Sequence, residues 1–275
     1  MDIEVQEGPI LQDRLPVLPW MEPRTARLPG TNLLDMAAWL DVDSAFGAQM
    51  ALRDRLLASH GPRVHALLPE AQAAAGEVLD LVLAHLRRVP RYRLEPDNVI
   101  RPDGVRVPLD RCAPLHTAGR LVQADLCLMD KPAGWAEHRL AGAVLCFPAG
   151  WSLAQKLGMA MVRIHRPVPQ FDDGIAARVQ RMFDNLRPGR PVWRANTILR
   201  NDWALFVPST EDSAPRRKPD FARPLFLRSE RQCLIRLPQS GAILFSIHTY
   251  VVPFEILDPA AQAGLLAHIV AEKRP

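Results

Sequence analysis

The sequence predicts an α+β fold: an antiparallel sheet with helices on one side, preceded by a helical N-terminal region. Three observations predict it. Apolar residues recur at helical intervals up to about residue 88. From about residue 92 the pattern changes to short, β-rich, alternating segments bounded by Gly and Pro. After residue 119 the elements run strand, strand, short helix, longer helix and three strands, which favours a mainly antiparallel sheet.

The elements follow in order. Residues 1–30 are rich in Pro, lack periodicity and are expected to wrap the surface. Residues 31–40 suggest a short helix around Leu33, Leu34, Met36 and Trp39. A helix over 44–58 takes Ser44 as N-cap and sets Phe46, Met50, Leu56 and Leu57 on one stripe. The helix over 69–88 has the strongest pattern, with Ala71, Ala75, Val78, Leu79, Val82 and Leu86 on one face. Arg87 and Arg88 suit the negative end of its dipole. Pro102, Asp103 and Gly104 mark a turn between short strands.

Residues 120–129 read as a strand with Leu121, Gln123, Asp125, Cys127 and Met129 on one face. Residues 138–147 are the next strand. Ser152 and Gln155 have capping-box spacing for a helix over 152–158, which Gly158 can stop. A helix over about 174–187 takes Asp172 or Asp173 as cap and ends at Pro188-Gly189. Strands at 191–200, 225–237 and 241–252 follow, with a polar loop at 208–224 and a last helix at 259–272. Two strands, intervening helices and three strands are the layout of a PAS domain. The organisation expected is therefore residues 1–90 as an N-terminal extension with helices packed on the core, and residues 91–275 as a PAS-like domain with a C-terminal helix.

Composition narrows the classes. Of 275 residues 48% are hydrophobic, enough for a substantial core. The N-terminus carries Asp2, Glu4 and Glu7 rather than a basic-then-apolar leader, and no apolar run is long enough to span a bilayer. A cytoplasmic protein with no membrane contact is expected. Cys112, Cys127, Cys146 and Cys233 are scattered without CxxC spacing, so free thiols are expected and c-type haem attachment is excluded. The formal charge of +4 is carried mainly by arginine in short clusters such as residues 215–218. Without an RNP-type strand, zinc-finger spacing or basic helix, no nucleic-acid partner is expected. No dinucleotide fingerprint, Walker loop, nucleophile elbow, HExxH or iron–sulfur spacing occurs.

The segment from Ala143 to Pro169 concentrates the remaining information: an apolar run, a turn at Pro148-Ala149-Gly150, a short helix, and then His165 in a loop stiffened by Pro167 and Pro169. A rigid imidazole beside apolar surface suits a haem axial ligand, so His165 is the candidate metal ligand. The alternative is a buried imidazole satisfied by backbone groups. Of the other histidines, His60, His65, His85 and His268 fall on or beside peripheral helices, His116 in a loop and His138 at a strand start. His248, on a central strand, is the rival and a candidate distal or catalytic group. Arg194 and Asn196 share a strand face, and Arg231 lies on a later strand. All three are candidates for holding haem propionates or orienting ligands, against ordinary cross-strand pairing. Trp193 and Trp151 are candidates to flank a flat cofactor or are core aromatics. Asp125 is a candidate to hold a cationic amine, against a structural carboxylate. Cys146 reads as a small apolar residue before a thiolate ligand.

Five blocks carry a resemblance: Leu121–Met129 (LVQADLCLM), Cys146–Leu157 (CFPAGWSLAQKL), Ile164–Pro169 (IHRPVP), Leu186–Asn196 (LRPGRPVWRAN) and Leu227–Tyr250 (LRSERQCLIRLPQSGAILFSIHTY). In this order they resemble the haem-dependent oxidative N-demethylase alpha-subunit-like family. The resemblance implies a PAS-like domain holding haem b, whose iron uses O₂ to oxidise a small secondary or methylated amine such as dimethylamine. The products would be an aldehyde and the shortened amine. It also implies a reductase partner that carries FMN and a 2Fe-2S centre, since this chain shows neither signature. Ala124 stands where the family commonly has an acidic residue and His248 where it commonly has arginine; if either position contacts substrate, a different amine or a lost activity is expected. The alternative from another class is a non-catalytic PAS-like sensor of haem ligands or small molecules.

Overall fold

The computed structural model describes residues 6, 8–22, 25, 30–165, 173–213 and 218–272. Pro167, Pro169, Asp172, residues 215–217 and the side chain of Asp173 lie outside the described residues, as do Asp2, Glu4 and Glu7. In chain order the elements are β1 (Asn32–Leu33), α1 (Phe46–Val64), β2 (His65–Leu67), α2 (Gln72–Leu86), β3 (Arg93–Leu94), β4 (Asn98–Ile100) and β5 (Arg106–Pro108). They continue with α3 (Pro114–Gly119), β6 (Asp125–Asp130), β7 (Arg139–Val144), α4 (Leu153–Lys156), α5 (Met161–His165) and α6 (Asp173–Asn185). The last are β8 (Val192–Arg200), β9 (Phe226–Arg236), β10 (Ile243–Pro253) and α7 (Pro259–Glu272).

The large sheet has the order β1-β8-β9-β10-β6-β7-β2, antiparallel throughout. A small sheet, β3-β4-β5, stands apart from it. The first long strand, β6, therefore pairs with the last, β10, and the two long hairpin strands β9 and β8 extend the sheet outward. The fold is mixed α+β built on a large antiparallel sheet.

Both faces of the sheet are covered. On one, Met50 and Leu56 of α1 and Val78, Leu79 and Val82 of α2 join a core with Leu126, Leu128, Cys233 and Leu244. On the other, Leu153, Met161, Ile164 and Phe183 from α4, α5 and α6, with Leu186 just after α6, pack with Cys127, Met129, Leu234, Ile243 and Ile247. The odd and even residues of each strand feed different cores because side chains alternate across a sheet. Double coverage also explains why β6 is buried from Asp125 to Met129 with no polar face. Two glycines allow close layering: a Cβ at Gly119 would lie 2.5 Å from Val144 Cγ1, and one at Gly142 would lie 2.6 Å from Leu67 Cδ1.

Several local expectations are corrected. Residues 31–40 form β1 and a single 3₁₀ turn, Met36–Ala38, rather than a helix. Leu34 N–H is drawn off to Pro191 O (2.9 Å), and Asn32 and Leu33 pair with β8. Ser44 does not cap α1: its hydroxyl bonds Asp13, while Asp43 Oδ1 accepts from Ala45 N at 2.9 Å. The strand expected at 120–129 begins only at Asp125. Ser152 makes no side-chain cap bond, and Gln155 Oε1 instead accepts from Glu211 N (3.2 Å), so α4 is a single turn. Gly158 does stop the segment, at φ +75° with its N–H on Leu140 O. His116 lies in α3 rather than in a loop, and His165 ends α5 rather than standing in one. The strands at 192–200, 226–236 and 243–253 and α7 lie where the pattern set them. All four cysteines are free.

His65 on β2 and His116 on α3 meet edge to face at 5.3 Å between ring centres. Burial, aided by the charge on His116, pushes His65 down to about 4. In the unfolded chain the imidazole titrates near its ordinary ~6.5. Between those values the unfolded chain binds more protons, so stability is complete above pH ~6.5 and declines as pH falls toward 4. Solvent screening reduces the expected loss to about 1–2 kcal/mol. Urea unfolding at pH 7 and pH 5 measures it, and His65→Phe should flatten the difference; an unaltered pH slope in that variant would rule His65 out as its source.

Candidate functional site

The register of the strands sorts the sequence-derived candidates. Arg194 stands opposite Gln232 and Asn196 opposite Glu230, and all four face the α4-α5-α6 side. Trp193 stands opposite Cys233, Ala195 opposite Arg231, and Arg231 opposite His248, on the α1-α2 side. The structure therefore sets Arg194 and Asn196 on the face that carries His165, with Arg194 close enough for its charge to act on the imidazole. It sets Arg231, Trp193 and His248 on the far face of the sheet.

His165 is the last residue of α5, which buries Met161 and Ile164 against the sheet. Its Nδ1 lies 2.9 Å from the Met161 carbonyl oxygen. A carbonyl can only accept, so Nδ1 carries the proton and the ring lone pair is on Nε2. Burial lowers the imidazole below its usual value; the Met161 bond opposes this, and the charges of Lys156 and Arg194 add to the lowering. The ring is neutral at physiological pH, the form that ligates metals.

Lys156, the last residue of α4, points into the same space. Its Nζ donates to Ile164 O at 2.7 Å and lies 5.0 Å from the centre of the Trp151 ring. Across the sheet runs a polar chain: Arg194 Nη1 donates to Gln232 Oε1 (2.8 Å) and Gln232 Nε2 to Glu230 Oε2 (3.2 Å). Arg228 completes it against Glu230 at 3.1 Å, and donates also to Leu205 O at 3.0 Å. Asn196 Oδ1 is buried without a hydrogen-bond partner among the described residues. Phe245, Ile247 and Trp151 give the rest of this face an apolar lining.

Asp125 begins β6 and is completely buried. One carboxylate oxygen accepts from Arg53 Nη2 (2.9 Å) and Cys146 N (2.8 Å), the other from Phe147 N (2.9 Å). Burial raises the carboxyl, and Arg53 and the two backbone donors oppose it. A substrate cation at Asp125 would have to compete with Arg53. Cys146 beside it is buried, which pushes its thiol up to about 12 and keeps it protonated.

On the far face His248 Nε2 lies 2.9 Å from Asp43 Oδ2. Burial alone would raise the Asp43 carboxyl, but bonds from His248, Gln123 and Gln12 and the His248 charge hold it low. Tyr250 donates to Asp41 (2.6 Å), and Arg231 pairs with Asp41 (3.3 Å) and donates to Trp39 O (2.8 Å). A polar cleft of about 550 Å³ opens here, lined by Asp41, Asp43, Ser44, Arg91 and Tyr250 among others. It does not touch the His165 group. A shallower cleft of about 280 Å³ lies between α6 and the end of β8, at Met182, Leu186 and Val192.

Residues not singled out from the sequence complete the picture. Arg53 falls at core spacing between Met50 and Leu57, a charged residue on an apolar stripe, and that anomaly was visible. Glu230 and Gln232 alternate on β9 and so share a face, but their link to Arg194 needed the register. Lys156 gave no signal. Among the described residues no cluster of three or more His, Cys, Asp or Glu side chains is placed to hold a metal ion, and no helix is long and apolar enough to cross a membrane. The family model described as haem-dependent oxidative N-demethylase, alpha subunit-like, matches residues 30–274, and the chain belongs to that family.

Proposed function

We propose that this chain is the haem-binding, O₂-using subunit of an oxidative N-demethylase, acting on a small secondary or methylated amine with a flavin and iron–sulfur reductase as partner. The observation that carries it is the neutral His165, its proton tied to Met161 and its lone pair on Nε2, at the edge of an apolar face that also holds two cations. The two-strand, helices, three-strand order of β6 to β10 supports a PAS-like reading of the domain, and the alpha-subunit description of the family supports a multi-subunit enzyme.

The residues present fit a haem. His165 would ligate the iron, and Lys156 and Arg194 supply positive charge for propionates. Trp151, Ile247 and Phe245 supply flat and apolar contact. When bound, the haem supplies O₂ activation and oxidation of the carbon attached to nitrogen. The protein's own contribution is positional. The Met161 bond fixes the tautomer and plane of His165. The buried Asn196 Oδ1 is an acceptor suited to an amine N–H. Gln232 holds Arg194 in place, and Arg228 with Glu230 anchors Gln232. The apolar lining excludes water, so stray hydrolysis and proton leakage are suppressed. In this reading Asp125 acts from behind the site by fixing the backbone at Cys146 and Phe147. His248, Arg231 and Trp193 support the opposite face, and any effect they have on turnover passes through the sheet.

The test is a visible spectrum of the protein expressed with haem precursor, before and after dithionite, followed by turnover with a reductase. A stoichiometric Soret band that shifts on reduction, with amine-dependent O₂ uptake and formaldehyde release, is expected. A Soret band with gas binding but no turnover would favour a sensor. Absence of the band after reconstitution with hemin would overturn the reading.

A further inference from the structure

Lys156 is an ammonium with an unusual position for a lysine. It sits at the end of the one-turn α4, only partly exposed, and it donates not to a carboxylate but to the backbone carbonyl of Ile164, at 2.7 Å. That carbonyl immediately precedes His165, the last described residue of α5. The described part of α5 is little more than one turn, and a single turn gains from bonds outside it. The Lys156 ammonium also lies over the Trp151 ring, 5.0 Å from its centre. Glu211, the nearby carboxylate, is engaged by both Nη groups of Arg163. The Lys156 hydrogen bond is directed at the peptide joining Ile164 to His165, and Glu211 adds an electrostatic attraction.

We propose that Lys156 is the positioning residue of the His165 site: its ammonium caps the carbonyl preceding His165, fixes the end of α5, and holds a positive charge beside the imidazole. The inference rests on the haem reading above and deepens it. Two consequences are separable. The hydrogen bond orders α5 whether or not haem is present. The charge acts on whatever His165 ligates, because a fixed cation near an iron centre favours the reduced, less positive form.

The experiment compares wild type with Lys156→Met, which keeps the stem and loses the charge and donor, and Lys156→Arg, which keeps both. In haem-free protein, hydrogen–deuterium exchange over residues 160–165 should speed up in the Met variant and stay near wild type in the Arg variant. On titration with hemin the Met variant should bind about 10-fold more weakly, with an altered low-spin to high-spin balance and a lower reduction potential. The Arg variant should restore all three. Unchanged exchange in the Met variant overturns the capping role. Unchanged spectrum and potential in a haem-loaded Met variant overturn the positioning role while leaving the haem reading intact. Failure of wild type to bind hemin sinks the haem reading, and the exchange result then decides the capping role alone. Should Lys156→Met not fold, Lys156→Gln is read in its place, where a wild-type potential overturns the charge role.

Discussion

Asp125→Asn is expected to destabilise the folded chain by about 3–5 kcal/mol, the usual cost of removing one partner from a buried ion pair. The change is nearly isosteric, so the loss is electrostatic. Arg53 and Asp125 are both fully buried, and two guanidinium nitrogens of Arg53, Nε and Nη1, have no hydrogen-bond partner among the described residues. The Phe147 ring, 4.8 Å from the guanidinium carbon, offers only a weaker cation–π contact. Asparagine would also replace one of the two oxygens that accept from Cys146 and Phe147 with an amide N–H₂, setting donor against donor. Arg53→Met alone should cost a similar amount by stranding the carboxylate. The double variant should cost clearly less than the sum, because no charge is left buried. A double-mutant cycle by urea unfolding measures this, and a coupling below about 0.5 kcal/mol would show that the pair contributes nothing specific. If Asp125 instead held a substrate cation directly, Asp125→Asn would impair amine affinity with little loss of stability.

His165→Gly is expected to weaken hemin binding by more than the ~10–100-fold that loss of an outer-shell partner costs a metal site. The remaining haem should have an altered Soret position. Added imidazole should restore the spectrum, since the deleted group is the imidazole itself. The folded state should survive, because His165 is only partly buried and none of the three long strands β8, β9 and β10 depends on it for pairing. Unchanged haem content and spectrum would remove His165 from the site.

Much of the fold was legible because periodicity is local. The strands at 192–200, 226–236 and 243–253 and the helix Pro259–Glu272 follow from alternation or 3.6-residue spacing within one segment. The errors occurred where a distant partner took over a local group. Asp13 claims the Ser44 hydroxyl, Glu211 claims Gln155, and Pro191 with β8 draws residues 31–34 into an edge strand. None of these partners lies near in sequence. Tertiary hydrogen bonds outcompeted caps worth only about 1 kcal/mol.

The sequence by itself determined the mixed α+β class, the long strands, the isolated thiols and the candidacy of His165 beside apolar surface. Only the tertiary structure decided which candidates meet. A one-residue offset moves a side chain across a sheet, so strand pairing puts Arg194 and Asn196 on the face that α5 covers and sends Trp193, Arg231 and His248 to the other face. Folding also chose the companions that no spacing announced. Arg53 reaches Asp125 across 72 positions and Lys156 reaches the Ile164 carbonyl across two helix ends. Burial makes both contacts consequential: away from water a charge must find a partner, and the backbone or carboxylate it finds becomes part of the site.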